Sequence, residues 1–368
     1  MLKIENQLQV IILTIVLMLL SVGIIMIFST SAVVAKMDPN IKDTYFFIKK
    51  QLIWTILAIV SMKICMDISY KNFEKYGYII FGMCFFLLIL VLIPGIGVKY
   101  NGARRWIRLA GFGFQPSDFM KFASVIFIAK YISQNFSRLK HFYVGFLPVF
   151  TLIALSSFLI LLEPDFGTAS FILLVSIMLL LVGGVSLKHF IPLFFIGLPF
   201  FIYLAIYKLH HIYARIEIYL NPGTDPYGKG FQIRQSLIAL GSGGTLGMGL
   251  GLSRQKLFFL SEESTDFIFA IIGEELGFLG TVSILVLFIL FIYYGIVVIK
   301  RAPDIFSMNL ALGIIILISL QAIFNIAVVT QTIPAKGISL PLISFGGTGL
   351  LVTMIEVGVL LNIAKHCR

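Results

Sequence analysis

Charge is scarce in this chain. Only 12% of its 368 residues are Asp, Glu, Lys or Arg, against 59% hydrophobic residues; soluble domains run at about 25% and about 45–50%. A water-soluble fold is excluded, because no core could hide that much apolar surface. Cysteine and histidine are scarce as well, at three and five residues. Cys65, Cys84 and Cys367 lack metal spacing and read as inert thiols. The histidines form no HExxH, and the adjacent His210 and His211 diverge on a helix and point oppositely on a strand, which argues against a shared metal. Sequence repeats, low-complexity tracts and a separate soluble domain are absent too.

What is there is apolar sequence in blocks of about 20 residues, the length of a membrane-crossing helix and not the ~10-residue alternation of a barrel. Ten spans are expected, at 8–30, 47–66, 77–96, 118–134, 146–162, 167–184, 189–207, 266–299, 308–331 and 341–364. The fold class is therefore an all-α integral membrane protein, one polytopic domain over 1–368, with a long loop at 208–265 between the seventh and eighth spans. That loop carries aromatic and apolar runs such as "FQIRQSLIALGSGG" and is expected to be ordered. The block from Leu8 to Thr30 exceeds the roughly 7–15 residues of a signal-peptide core and reads as a retained span. Charge does not orient the chain. With the N-terminus inside, 12 Lys and Arg fall on the cytoplasmic side and 16 on the other, six of these in the long loop, and the short loops balance too closely for the positive-inside rule to decide. Basic residues on the far side suit an anionic ligand there.

The polar residues cluster. "NGARRWIRLAGFGFQPSDFMKF" sets Arg104, Arg105 and Arg108 beside Trp106, then Pro116 at a helix start and Asp118 with Lys121 at i, i+3. These residues read either as an ion pair with interfacial anchors or as a phosphate clamp, for which the planar guanidinium fork is suited. "LEPDFGTAS" puts Glu163 and Asp165 in a tight link between two spans, where a turn-forming, water-facing role is the plain reading. Gly223 and Gly228-Lys229 have P-loop spacing, but Gly230 stands where Ser or Thr is needed and no βαβ context surrounds them, so nucleotide binding is set aside.

The acids concentrate in one place. Of 17, five (Glu262, Glu263, Asp266, Glu274 and Glu275) lie in "EESTDFIFAIIGEELGFLG". Ser264 or Thr265 is expected to cap the eighth span, with Asp266 in its first turn, where the helix dipole favours a carboxylate. Glu274 and Glu275 fall about 12 Å further along the helix. At that depth an ionisable group is either functional or interhelical glue, and the residues alone leave both open.

Together "NGARRWI…FQPSD..K", "EPDFGTA", "NPGTDPYGKGFQIRQSLIALGSGG", "STDFIFAIIGEELG" and "PAKGISLPLISFGG" resemble, in order, the motifs of the SEDS family (shape, elongation, division and sporulation) over residues ~100–350. "QSLIALGSGG" followed by "QKLFFL" is more similar to the division members than to the elongation members. The resemblance implies ten spans with both termini cytoplasmic in the bacterial inner membrane, so that the long loop is extracytoplasmic. It implies a peptidoglycan glycosyltransferase that polymerises lipid II during septal wall synthesis, beside a class B penicillin-binding transpeptidase and other divisome membrane proteins. Membrane lipid is a further partner, nucleic acid is not, and no cofactor is implied, with a divalent cation left open. The family's essential aspartate falls on Asp266, expected to be ionised and to act as general base. The family's Glu-x-x-Lys falls on Asp118 and Lys121, a shorter acid than usual, and Asp165 matches the acid after the fifth span. Arg104, Arg105, Trp106, Lys121, Lys256 and Lys336 are the expected substrate-binding residues around the pyrophosphate, with Asp118 and Asp165 beside them. A lipid II flippase also suits intramembrane acids, although the chain shows no repeated halves and its polar groups cluster on one side. A non-catalytic division scaffold is the third reading.

Overall fold

The structure, a computed structural model, describes residues 2–37, 41–100, 102–109, 112–193, 195, 197, 217, 219–220, 228–256, 260, 264–334 and 337–367. Its helices are α1 (Leu2–Met37), α2 (Phe46–Asp67), α3 (Tyr70–Leu92), α4 (Pro116–Asn135), α5 (Leu147–Leu162), α6 (Phe166–Val182), α7 (Lys229–Ser242), α8 (Ile268–Arg301), α9 (Ile305–Val329) and α10 (Thr348–Lys365). Six segments among the described residues are long and apolar enough to cross a membrane, and α6, at 17 residues, is apolar but shorter. The protein is a multi-pass membrane protein. Of the expected seventh span, 189–207, only residues 189–193, 195 and 197 are among the described residues.

The helix starts follow local chemistry. Pro116 opens α4, where a missing N–H costs nothing. The Asp165 Oδ1 accepts the Thr168 N–H at 3.0 Å and caps α6. Asp304 and Ser307 form a reciprocal capping box on α9. The centre of the bundle is α10, whose apolar window is 78% buried, while that of α3 is only 22% buried and faces lipid. Helix α10 lies along α2, α3 along α4, and α9 against α4 and α8.

Two features depart from an all-helical reading. Residues 97–114 fold into an antiparallel sheet of β1 (Gly97–Tyr100), β2 (Ala103–Leu109) and β3 (Phe112–Phe114), in that order. The expected third span, 77–96, accordingly ends as a helix at Leu92. The expected tenth span begins late: residues 341–347 are not helical, and they run up to α10 as irregular backbone. Irregular backbone at membrane depth is tolerated only where protein or a polar cavity surrounds it.

Helix α8 is broken. Gly277 sits at φ 68° inside it, and the strand of loop from Gly243 to Gly249 fills the break. The Met248 and Gly249 N–H groups donate to the Glu274 and Glu275 carbonyls at 2.9 and 3.0 Å, and the Phe278 and Leu279 N–H groups donate to the Gly244 and Thr245 carbonyls at 2.9 and 3.2 Å. A Cβ on Gly247 would collide with the Glu275 carbonyl, and one on Gly277 with the Gly247 nitrogen, so this approach requires both glycines. Residues 278–301 alone rise about 36 Å at 1.5 Å each, enough to span the hydrocarbon core.

Candidate active site

A cavity of about 430 Å³ lies where the sheet meets the ends of the central helices. Arg105 and Trp106 reach it from β2, Asp118 and Lys121 from the start of α4, Asp165 and Thr168 from the start of α6, and Asp266 from the turn before α8. Gln321 of α9 and the backbone of Gly337–Ser339 and Phe345–Gly349 close the wall. Helices α4, α6, α8 and α10 all turn their N-terminal ends toward this space. Each such end carries N–H groups without helical partners and about half a positive charge, so the cavity favours anions before any side chain is counted.

Among the described residues two cations stand in it, each already matched to a carboxylate. The Lys121 Nζ lies 2.9 Å from Asp118 Oδ1, with side chains 14% and 15% exposed. Glu356 of α10 is buried beside this pair. Arg105 is held by three successive residues of the α5–α6 link. Its Nε donates to the Glu163 carbonyl at 3.1 Å, one Nη donates to the Pro164 carbonyl, and the other lies 3.7 Å from Asp165 Oδ2. The guanidinium is thus fixed in position, with a third of the side chain left open to the cavity.

Asp266 lines the same cavity from the turn before α8, and not from the first turn of the helix as the sequence suggests. The residue preceding α8 is Phe267, without a side-chain cap bond, so neither Ser264 nor Thr265 caps it. The turn is tied to the irregular segment before α10. Ser344 Oγ donates to the Thr265 carbonyl at 2.6 Å, the Phe345 N–H to the Ser264 carbonyl at 2.8 Å, and Asn325 Nδ2 to the Asp266 carbonyl at 2.8 Å. Gly337 packs against the carboxylate so closely that a Cβ there would lie 2.7 Å from Asp266 Oδ2.

Of the expected site residues, Arg105, Trp106, Asp118, Lys121, Asp165 and Asp266 come together. Arg104 does not line the cavity, although Ala103, Arg105 and Trp106 of the same strand do; a register shift between β1 and β2 at this point interrupts the alternation of the strand. Lys336, Glu262 and Glu263 lie outside the described residues. Lys256 is elsewhere. It is buried, with Nζ 2.7 Å from Glu275 Oε1 and 3.1 Å from Ser29 Oγ of α1. The Glu274 carboxylate accepts from the Ser253 hydroxyl and from the Arg254 and Gln255 N–H groups at 2.9 and 3.3 Å. The two glutamates that the sequence left unexplained are therefore anchors that fasten residues 253–256 of the long loop to α8.

Glu163 is the other correction. It does not face water: it is 0% exposed, and neither carboxyl oxygen has a hydrogen-bond partner among the described residues. Burial, then the nearby Asp165 carboxylate, pushes its carboxyl up to about 9 against the pull of Arg105, with Asp118 adding to the rise. Sequence reasoning also missed Glu356, Gln321 and Asn325; polar residues inside the apolar runs 308–331 and 341–364 were the available signal. Among the described residues no three His, Cys, Asp or Glu side chains are grouped as a metal site requires.

The family of FtsW, RodA and SpoVE, described as cell cycle proteins, matches residues 9–368. Stage V sporulation protein E of Bacillus subtilis is 44% identical over 354 residues, 96% of each chain. A probable peptidoglycan glycosyltransferase FtsW of Trichlorobacter lovleyi is 40% identical over 360 residues, 98% of this chain and 94% of that one. Among solved structures, a chain of a peptidoglycan synthase complex that coordinates polymerization and crosslinking superposes with a TM-score of 0.77 at 25% identity, covering 96% of this chain and 97% of that one. The rod shape determining protein RodA of Thermus thermophilus superposes with a TM-score of 0.66 at 22% identity, covering 97% of this chain and 96% of its own, a likeness of fold.

Proposed function

The chain belongs to the FtsW/RodA/SpoVE family of cell cycle proteins, and from that premise we propose that it is a peptidoglycan glycosyltransferase that polymerises lipid II. The observation that carries the reading is one cavity lined by a carboxylate, Asp266, and by two fixed cations, Arg105 and Lys121, beneath four helix N-termini. Lipid II is a disaccharide-pentapeptide on a polyprenyl pyrophosphate. Extending a strand requires a base for the attacking sugar hydroxyl and positive charge for the departing pyrophosphate.

In the proposed step the Asp266 carboxylate takes the proton of the acceptor 4-hydroxyl. The hydroxyl oxygen forms a bond to the donor anomeric carbon on the face opposite the pyrophosphate. The bond from that carbon to the pyrophosphate oxygen breaks, and its electron pair leaves with the pyrophosphate. Configuration inverts and no covalent enzyme intermediate forms. Arg105 and Lys121 keep spare donors beyond their carboxylate partners, since a guanidinium has five N–H groups and an ammonium three, and these receive the developing charge. Asp118 and Asp165 hold the two cations in place and so count as positioning residues. Trp106 offers an apolar and stacking surface at the rim. The reaction as written uses side chains alone.

The wider setting belongs to the same proposal. Relatives named for division and sporulation support septal-type wall synthesis at the inner membrane, both termini cytoplasmic and the cavity outside. The structural likeness to a chain of a polymerising and crosslinking complex supports a transpeptidase partner of the class B penicillin-binding type.

The test is polymerisation of lipid II by the purified protein with its transpeptidase. Asp266→Asn keeps the shape and removes the base, and synthesis is expected to fall at least ~100-fold while folding and partner binding survive. Long glycan strands made by that variant refute the assignment. Lipid movement across a vesicle membrane without any glycan would identify a flippase instead.

A further inference from the structure

Among the described residues, the acids and bases of the cavity do not balance in favour of an anion: Arg105 and Lys121 face three carboxylates, Asp118, Asp165 and Asp266. A fourth negative charge beside Arg105 would oppose the very ligand the cations are meant to hold. Glu163 is where that charge would stand. It closes α5, its backbone carbonyl receives the Arg105 Nε, and its side chain is fully buried with both oxygens lacking a donor among the described residues.

An ionised carboxylate at such a site would cost several kcal/mol, with no N–H or O–H to offset the lost water. The groups facing it from the packed elements are Arg105 of β2, Asp165 of the link and Asp118 of α4, with Lys121 and Glu356 of α10 behind them. Among the described residues Arg105 is the one cation acting on it directly, and Arg105 is already engaged by Glu163, Pro164 and Asp165.

We propose that Glu163 is a positioning residue for the transfer: a buried carboxylic acid held neutral behind Arg105, so that the guanidinium keeps its charge for an anionic phosphate ligand, and whose deprotonation closes the site to that ligand. The proposal rests on the glycosyltransferase reading for its ligand and on the geometry alone for its protonation state. Glu163 touches neither substrate nor reacting atoms; it acts through Arg105.

The proton is released to solvent as pH rises toward about 9, and beyond that the neutral form falls about tenfold per pH unit. Linkage gives the sign for stability. The folded protein keeps a proton that the unfolded chain loses above the ordinary 4.5, so stability declines as pH rises from 4.5 to about 9. Glu163→Gln preserves shape and removes the ionisation, and it should be the more stable protein on the alkaline side.

Two measurements test this. The first is the pH profile of lipid II polymerisation by wild type and Glu163→Gln, each with the transpeptidase. Wild type should lose activity on the alkaline side through a rising KM for lipid II, and Glu163→Gln should match wild type at neutral pH and hold its activity further into alkali. Coincident alkaline limbs, or a folded Glu163→Gln that is inactive at neutral pH, overturn the proposal. The second is the infrared C=O stretch of a protonated carboxylic acid, recorded on the purified protein without substrate. A band present at neutral pH in wild type and missing in Glu163→Gln supports it, and identical spectra overturn it. The infrared arm stands even if the protein polymerises nothing, so failure of the activity reading is separable from failure of this one.

Discussion

Replacing Lys256 with Met separates two roles for a cation that sequence reasoning assigns to substrate. The Lys256 and Glu275 side chains are 3% and 0% exposed and lie 2.7 Å apart. At an effective dielectric of about 20, two charges at that distance attract by about 6 kcal/mol, most of which repays their removal from water. Lys256→Met leaves the Glu275 carboxylate buried with the Ser29 hydroxyl, 2.7 Å away, donating to it. Stranding a buried charge in this way costs about 3–5 kcal/mol. Changing both partners, Lys256→Met with Glu275→Leu, strands nothing and should recover most of that loss. The assay is thermal and denaturant unfolding of the purified protein, with protease sensitivity of the 208–265 loop as a local probe and lipid II polymerisation as the functional one. The double variant should be stable and near wild type in activity. A single variant as stable as wild type would refute the anchoring role. A double variant that folds, binds its transpeptidase and makes no glycan would return Lys256 to the chemistry.

Gly337→Ala places a methyl group 2.7 Å from Asp266 Oδ2, which forces the carboxylate aside by a fraction of an ångström to about 1 Å; a displacement of that order can cost ~100-fold in rate. Polymerisation should fall with little change in melting temperature, and unchanged activity would show that the Asp266 position is not critical. Asp304 caps α9 and accepts the Tyr70 hydroxyl at 2.7 Å. Its carboxyl is held below the ordinary range: burial opposes this, and bonds from Ser307 and Tyr70 with nearby Lys71 outweigh it. A depressed carboxylate contributes stability above its unfolded pKa that is lost as pH falls through the folded one. Asp304→Ala should therefore cost about 1 kcal/mol at neutral pH and flatten the acid side of the stability profile, and an acid limb as steep as in wild type would refute the assignment.

The membrane helices are legible because apolar length reports them directly, and α2, α4, α5, α6, α8 and α9 begin and end within three residues of their expected bounds. The β-sheet is not, since an eye set for blocks of about 20 apolar residues passes over short strands. Asn101-Gly102 between "GVKY" and "ARRWIRL" is a hairpin signal of the two-residue kind. The cavity residues were recognisable by family resemblance, but their convergence joins positions 105 and 266 across the whole bundle, and no local pattern encodes that distance. Glu274 and Glu275 invited a functional reading because depth was reckoned along an unbroken helix. Their partners are Ser253, Arg254, Gln255, Lys256 and Ser29, and Gly277 stops the helix just beyond them. Glu163 looked like a turn residue because its neighbours, Pro164 and Asp165, are turn formers; burial comes from the sheet and helices closing over the link.

A membrane helix ordinarily finishes its own backbone bonding as it leaves the translocation channel and meets its neighbours afterward. Helix α8 cannot do so, because the carbonyls of Glu274 and Glu275 and the N–H groups of Phe278 and Leu279 are completed by a segment about thirty residues upstream. The order of synthesis suits this. Residues 244–249 are made before Gly277 emerges. Lateral release of α8 into lipid before that segment docks would expose four bare peptide groups to hydrocarbon, at several kcal/mol apiece. We expect completion of this span to be coupled to docking of the loop before it.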